Sequence, residues 1–510
     1  MRDALVHLVG AGPGAPGLLT VRGAELLRTA DVILHDDLVH PSLLALAREG
    51  AEIVYVGKRG HRPADRTQKQ AEIEAQLVAH ARLGKRVVRL KGGDPYLYGR
   101  GSEEAEALVA ADIPFEVVPG VCSPLAAAAY AGFSLTHRDL ASSVTFVSAT
   151  QRDGVPFDFG EVAGLRGTLC VLMGVKRLDE VAQDLMAKAG REGSTPAAVI
   201  ASATLPRQRV VRATLAEIAQ RTREAALSSP AILIVGEVVA LRDRLRWFDV
   251  GGLFGKRVLV PRARGQAADT VELLESRGAE AIAIPLIEIA PTSDPAPLSR
   301  ALGDIRRYAV VAFTSANAVE LFFAALGARG ADARALGGVK IASVGPATTR
   351  ALSAVGLRPD IVPARADGGA LGRSIVAALD THQGARVLFP RAASGREELI
   401  AVLQSAGVEV DPIAIYETRA PEPSEREALR ARFESGIDAI LATSPSTVHH
   451  LVDALGESAA RLLGGVAIAC IGETTADAVR AHALEPALIA RPSTLPVLVD
   501  ALAALYESGA

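Results

Sequence analysis

The sequence predicts an α/β protein made of several largely parallel sheets, and three observations carry that prediction. Strand-like apolar runs alternate with helical stretches through most of the 510 residues, the pattern expected of parallel sheets with crossover helices. A glycine-rich loop, "VGAGPGAPGLLT", follows the first strand, where α/β sheets place their ligand loops. The second half also repeats its own strand–helix pattern at a nearly constant offset.

Composition bounds the answer. The chain is too long for one core, and domain sizes suggest about three or four compact units. Hydrophobic residues make up 49% and charged residues 22%, an ordinary globular balance. The net charge of −3 provides no overall positive field for nucleic acid. Cys122, Cys170 and Cys470 are scattered without metal-ligand spacing, so a reduced, cytoplasmic setting and no bound metal are expected. The chain begins directly on a strand-like run, so no secretory leader is expected. No apolar run approaches the ~20 residues of a membrane span.

In the first half, strands are predicted at 4–9, 31–35, 52–56, 86–90 and 115–118, giving a unit of about 1–120 and a second of about 121–248. The spacing Gly10-x-Gly12-x-x-Ala15, with Asp36 after the next strand, fits a loose dinucleotide fingerprint. Pro13 and Pro16 argue against it, because each removes a backbone N–H where a pyrophosphate would need one. The helix is instead expected to start near Thr20. "RVVRLKGGDPYLYGRGSEE" ends a buried strand in Gly92-Gly93, then Asp94 and Pro95. Such glycines allow close backbone approach to a ligand. The plain alternative is a tight turn capped by the aspartate. Asp36 and Lys58 fall at similar strand ends, and their convergence there points to a site.

"RWFDVGGLFGKRVLV" marks the main boundary, with a linker at 249–254 and a second half at 255–510. There, Val258, Pro261 and Arg262 recur as Val387, Pro390 and Arg391. Thr314 recurs as Thr443, and Gly345 as Gly472. The repeat implies two similar parallel-sheet lobes with a cleft between them.

Taken in order, "VGAGPGAPGLLT", "ADVILHDDLV", "VGKRG", "VVRLKGGDPYLYGRG", "VVPGV", "AYAGFSLTHR", "VLMG" and "PAILIVGEVVALR" resemble uroporphyrinogen-III C-methyltransferase, of the tetrapyrrole methylase family, over residues 1–248. The resemblance implies a two-domain methylase fold that uses S-adenosylmethionine. It assigns the cofactor to Pro13, Gly92, Gly93, Asp94, Leu97, Cys122, Ser123, Met173 and Ala203. A proton acceptor and donor fall on Asp36 and Lys58. Ser102 stands where the family usually has glycine, and Cys122-Ser123 where it has Thr-Ala. The implied product is precorrin-2, after two methylations, and the implied assembly is a homodimer.

"TSANAV", "SVGPATTRAL", "IAIYETR", "ATSPSTV" and "CIGETTADAV" resemble uroporphyrinogen-III synthase over 255–505. That family is bilobal, so lobe one is expected at about 255–291 plus 422–510 and lobe two at about 295–418, crossing at 292–299 and 419–425. The resemblance implies closure of linear hydroxymethylbilane with inversion of its last ring. Tyr416 would assist loss of the hydroxyl. Thr314, Ser315, Thr348, Thr443, Ser444, Thr474 and Thr475 would meet substrate carboxylates, aided by Arg262, Arg264, Arg391 or Arg396. The Thr-Ser turns also suit helix N-capping. Together the halves imply a bifunctional enzyme toward sirohaem or cobalamin, with small tetrapyrroles as substrates, no nucleic-acid or membrane partner, and a second copy of the chain bound through the first half. The alternative is an active methyltransferase carrying an inactive, tetrapyrrole-binding C-terminal module.

Overall fold

The computed structural model describes residues 5–57, 63–151, 154–261, 264–286, 288–379, 384–393, 397–419 and 423–507. Among them are four five-stranded sheets. The first holds β1 (Val6–Gly10), β2 (Val32–His35), β3 (Glu52–Tyr55), β4 (Val87–Lys91) and β5 (Phe115–Val118), in the order β3-β2-β4-β1-β5. Every pairing in it is parallel. Strands β1 and β4 are buried along their whole length, as expected of central strands covered on both faces. Thr20 caps the helix Val21–Thr29 by accepting the Gly23 N–H at 3.1 Å, so the proline-bearing loop lies outside that helix.

The second sheet holds β6 (Val144–Ser148), β7 (Thr168–Leu172), β8 (Pro196–Ala201), β9 (Arg209–Thr214) and β10 (Ala231–Val235), in the order β6-β7-β10-β8-β9. Only β6 and β7 run parallel; the other three pairings are antiparallel.

The third sheet is wholly parallel, β12-β11-β18-β19-β20, from β11 (Arg257–Val260), β12 (Glu280–Ala283), β18 (Ala439–Ala442), β19 (Ala467–Cys470) and β20 (Leu488–Ile489). The fourth, β13-β17-β16-β14-β15, is formed by β13 (Glu288–Pro291), β14 (Val310–Phe313), β15 (Lys340–Ser343), β16 (Arg386–Ala392) and β17 (Glu409–Arg419). The first crossing therefore lies earlier than 292–299. β13 pairs antiparallel with β17, Pro291 opposite Tyr416, so it belongs to the second lobe. The reason is that a long β17 has an open edge, and pairing it satisfies backbone groups that the first lobe could not reach.

The joint between the halves is also narrower than 249–254. Asp249 is 9% exposed and accepts from Arg242 and Arg246, which ties it to the first half. Leu253 is fully buried with Val258, Leu274, Leu498 and Leu502, inside the first lobe's core. Phe248 and Phe254 meet edge to face across the joint, with ring centroids 5.4 Å apart. Backbone crowds the intervening glycines: a Cβ on Gly251 would lie 2.3 Å from the Arg277 carbonyl oxygen. Among the described residues no helix is long and apolar enough to cross a membrane.

Candidate active sites

In the first half the predicted loops converge at the C-terminal edge of the first sheet. Gly10, Gly93 and Gly120 pack backbone on backbone; a Cβ on Gly120 would stand 2.2 Å from the Gly93 carbonyl oxygen. Gly93 has φ +67, and the position of its missing Cβ meets only the Ser123 nitrogen, at 3.8 Å. This leaves an open patch of backbone at the start of the helix Ser123–Tyr130. Gly12 and Gly93 exchange backbone hydrogen bonds at 3.2 and 2.7 Å, so the proline-bearing loop is bonded to the Gly92-Gly93 turn.

Asp94 does not stand free at the strand end. Its carboxylate accepts the Tyr96 N–H at 2.8 Å and the Gly120 N–H at 3.0 Å. It therefore closes its own turn and fastens the Val118–Cys122 segment, the capping role that the turn alone suggested. Leu97 lies in the same turn, half-buried. Cys122 precedes the helix; burial first, and the charge of Asp94 as a smaller cause, push its thiol up to about 11. The thiol is therefore neutral near pH 7, and the residue offers shape and backbone, not a thiolate.

The second sheet supplies the opposite wall. Thr204 Oγ1 accepts the Ala15 N–H at 2.9 Å, and a Cβ on Gly14 would lie 3.3 Å from the Ala203 carbonyl oxygen. Pro13 and Ala203 thus sit in touching loops. Tyr98 spans the same gap, donating its hydroxyl to the Phe146 carbonyl at 2.8 Å. Non-glycine residues with positive φ gather here: Tyr98, Arg100, Met173, Ser202 and Thr204. Such backbone is held only where its surroundings enforce it, and it collects at binding sites. Met173 follows β7 and is 57% exposed. Lys58 lies outside the described residues.

Asp36 follows β2 on the same edge. One carboxylate oxygen accepts the Leu38 N–H at 3.1 Å, and the other faces Arg89 at 3.4 Å. Below it lies a group that sequence reasoning missed. Arg89 and Lys91, two apart on β4 and each 3% exposed, share Glu104 at 3.3 and 2.7 Å. Gln70 reaches the same Glu104 oxygen at 3.4 Å. Burial, and then the Arg89 charge, hold Lys91 below the usual lysine range. The available signal was "VVRLK" itself, with two cations on one face of an otherwise apolar strand.

In the second half the predicted residues divide between the two lobes' strand ends. Ser315 caps the helix Ala316–Ala328 through the Ala318 N–H, and Ser444 caps Pro445–Leu455 through the Thr447 N–H, which establishes the capping role of both turns. Thr314 and Thr443 are half-buried beside them. Thr348 and Thr475 are buried, at 3% and 1% exposure, while Thr474 faces outward. Tyr416 is 8% exposed within the second lobe's core, and its hydroxyl lies 3.1 Å from Ser315 Oγ. Among the arginines, Arg391 stacks over Phe389 at 5.5 Å. Arg262 and Arg396 lie outside the described residues, as does the side chain of Arg264. Among the described residues no three His, Cys, Asp or Glu side chains form a metal-ligand group.

Residues 5–219 match the family described as Tetrapyrrole (Corrin/Porphyrin) Methylases, and residues 268–500 that described as Uroporphyrinogen-III synthase HemD. The chain is 37% identical over 505 residues to the porphyrin biosynthesis protein HemD of Ruminiclostridium josui, covering 98% of each. A siroheme synthase of Azotobacter vinelandii is 49% identical over 246 residues, 48% of this chain and 52% of that one; the chain spans about half of that relative's length. A solved uroporphyrin-III C-methyl transferase from Thermus thermophilus, complexed with S-adenyl homocysteine, is 44% identical at a TM-score of 0.41. It covers 46% of this chain and 99% of its own.

Proposed function

Because the chain belongs to the family of the porphyrin biosynthesis protein HemD, a tetrapyrrole methylase joined to a uroporphyrinogen-III synthase, we propose that it performs two successive steps of tetrapyrrole biosynthesis. The second half closes hydroxymethylbilane to uroporphyrinogen III, losing the terminal hydroxyl as water and inverting the last ring. The first half then methylates uroporphyrinogen III twice, giving precorrin-2. The observation that carries the methylase reading is the junction of the Gly12–Ala15 loop, Gly93, Cys122-Ser123 and the Ser202–Thr204 loop beside Asp36.

S-adenosylmethionine supplies the methyl group on a sulfonium. The backbone at Gly93 fits such a ligand, because the position of its missing Cβ meets only the Ser123 nitrogen, at 3.8 Å, and leaves room for close approach. Pro13, Gly92, Gly93, Asp94, Leu97, Cys122, Ser123, Met173 and Ala203 would hold it. Positioning two bound reactants in line accounts for most of such a transfer. After each transfer the methylated ring must shed a proton. Asp36 takes it, since each of its oxygens keeps a free lone pair beyond one hydrogen bond. Lys58 is the proposed donor. Homodimerisation through the first half and a cytoplasmic location are part of the same reading.

Asp94→Ala frees both the Tyr96 and the Gly120 N–H, and is expected to weaken adenosylmethionine binding by about 1–3 kcal/mol. Calorimetry on the folded variant measures this, and unchanged affinity would remove Asp94 from the cofactor site. In the second half, Thr314, Ser315, Thr348, Thr443, Ser444, Thr474 and Thr475 would cradle substrate carboxylates with hydroxyls and helix N-termini. Tyr416→Phe is expected to slow closure by only about 10–100-fold, or ~1.4–2.7 kcal/mol. Escaped hydroxymethylbilane then closes without inversion, so chromatography should find more of isomer I. Complete loss of isomer III in a folded variant would make Tyr416 an essential acid. An unchanged isomer ratio would leave it as packing against Ser315. No isomer III from the unmodified chain would favour the binding-module alternative.

A further inference from the structure

We propose that Arg89 and Glu104 are positioning residues for Asp36, a buried charged support that aims this carboxylate at the substrate proton. The inference rests on Asp36 being the proton acceptor. The Arg89 side chain is 4% exposed, yet it is spent on four partners at once. It reaches Asp36 at 3.4 Å and Glu104 at 3.3 Å, and the Leu34 and Leu90 carbonyls at 3.4 and 3.0 Å. The rigid guanidinium fork fixes these directions relative to one another, as a lysine could not.

Glu104 anchors the fork from the other side. It is fully buried at the start of the helix Gly101–Ala110 and accepts Lys91 at 2.7 Å. Its second oxygen is buried with no partner among the described residues. The two cations and two carboxylates sum to zero charge, so the cluster tolerates burial.

Stability does not explain it. Val87, Val88 and Leu90 are buried around Arg89, and an apolar side chain in its place would avoid the desolvation cost that a buried ion pair seldom recovers. What an apolar residue could not do is hold Asp36. Strands β2 and β4 pair in parallel with Leu34 opposite Arg89 and His35 opposite Leu90, so Asp36 leaves the end of β2 within reach of Arg89, which itself reaches back to Glu104. The only member of the cluster at the open edge is Asp36, 25% exposed.

A double-mutant cycle on the full chain tests this, by single-turnover methyl transfer with saturating adenosylmethionine and uroporphyrinogen III. Arg89→Met should lower the saturated rate by about 10–100-fold, the scale of a misplaced catalytic group. Adenosylmethionine affinity should stay within about twofold. Arg89→Lys, which keeps the charge but not the fork, should recover part of the loss. In an Asp36→Asn background, adding Arg89→Met should cost less than about threefold more, because a support acts only through what it supports. Should Arg89→Met fail to fold, Arg89→Lys carries the same cycle, with its smaller loss again vanishing once Asp36 is gone. Fully additive losses beside a slow Asp36→Asn enzyme would overturn this inference alone. A wild-type rate in Asp36→Asn would overturn the reading of Asp36 and this inference together.

Discussion

Asp36→Asn is expected to slow methyl transfer by about 10²–10⁴-fold, the usual contribution of a general base, with adenosylmethionine affinity near that of the unmodified chain. The substitution keeps the size of the side chain and one oxygen for the Leu38 N–H. What it removes is the ability to take a proton. The separation between rate and affinity follows from the placement of the two groups. Asp36 follows β2, whereas the loops assigned to the cofactor close around Gly93 and the start of Ser123–Tyr130. Saturated turnover and calorimetric affinity on one preparation measure both quantities. Wild-type turnover would return Asp36 to a turn-capping role.

The second large effect concerns where the chain is divided. A piece beginning at residue 255 lacks Leu253, which is fully buried in the first lobe. Emptying such a site costs about 2–5 kcal/mol, against a total stability of about 5–15 kcal/mol. A piece ending at residue 248 lacks Asp249 and leaves the buried Arg242 without its carboxylate, a loss on the order of 3–5 kcal/mol. Pieces 1–250 and 251–510 keep both groups, and each is expected to fold and retain one activity. Denaturant midpoints of the longer and shorter pieces compare them directly. Equal midpoints would show that neither group holds its half together, and inactive longer halves beside an active full chain would point to an obligate interface.

The sequence made the first sheet legible almost strand for strand, because buried parallel strands read as short apolar runs ending in glycine or an acid. The second half's repeat was legible for the same reason. The allegiance of β13 was not: "EIAP" sits next to the first lobe in the chain, and only the distant edge of β17 decides where it pairs. The site divided along similar lines. Residues that stand at a strand end, such as Asp36 and Gly93, could be located from spacing, and the structure brings them to one edge of the first sheet. Asp94 could be read as the cap of its own turn, but its hold on Gly120 could not, since that residue belongs to another loop. The Arg89–Glu104–Lys91 cluster escaped because its members come from a strand and a helix and meet only across the packed interior.

The insertion of the second lobe within the first also sets a timetable for a chain made from its N-terminus. Strand β11 leaves the ribosome early but pairs with β18, and the Arg257 N–H bonds Asp438, 181 residues later. At about 5–20 residues per second, that partner arrives roughly 10–40 s afterwards. During this interval the methylase half and then the whole second lobe can complete, while β11 and β12 wait with one apolar edge unpaired. The lobe begun first is thus finished last, and on stalled nascent chains it should be the final segment to resist protease.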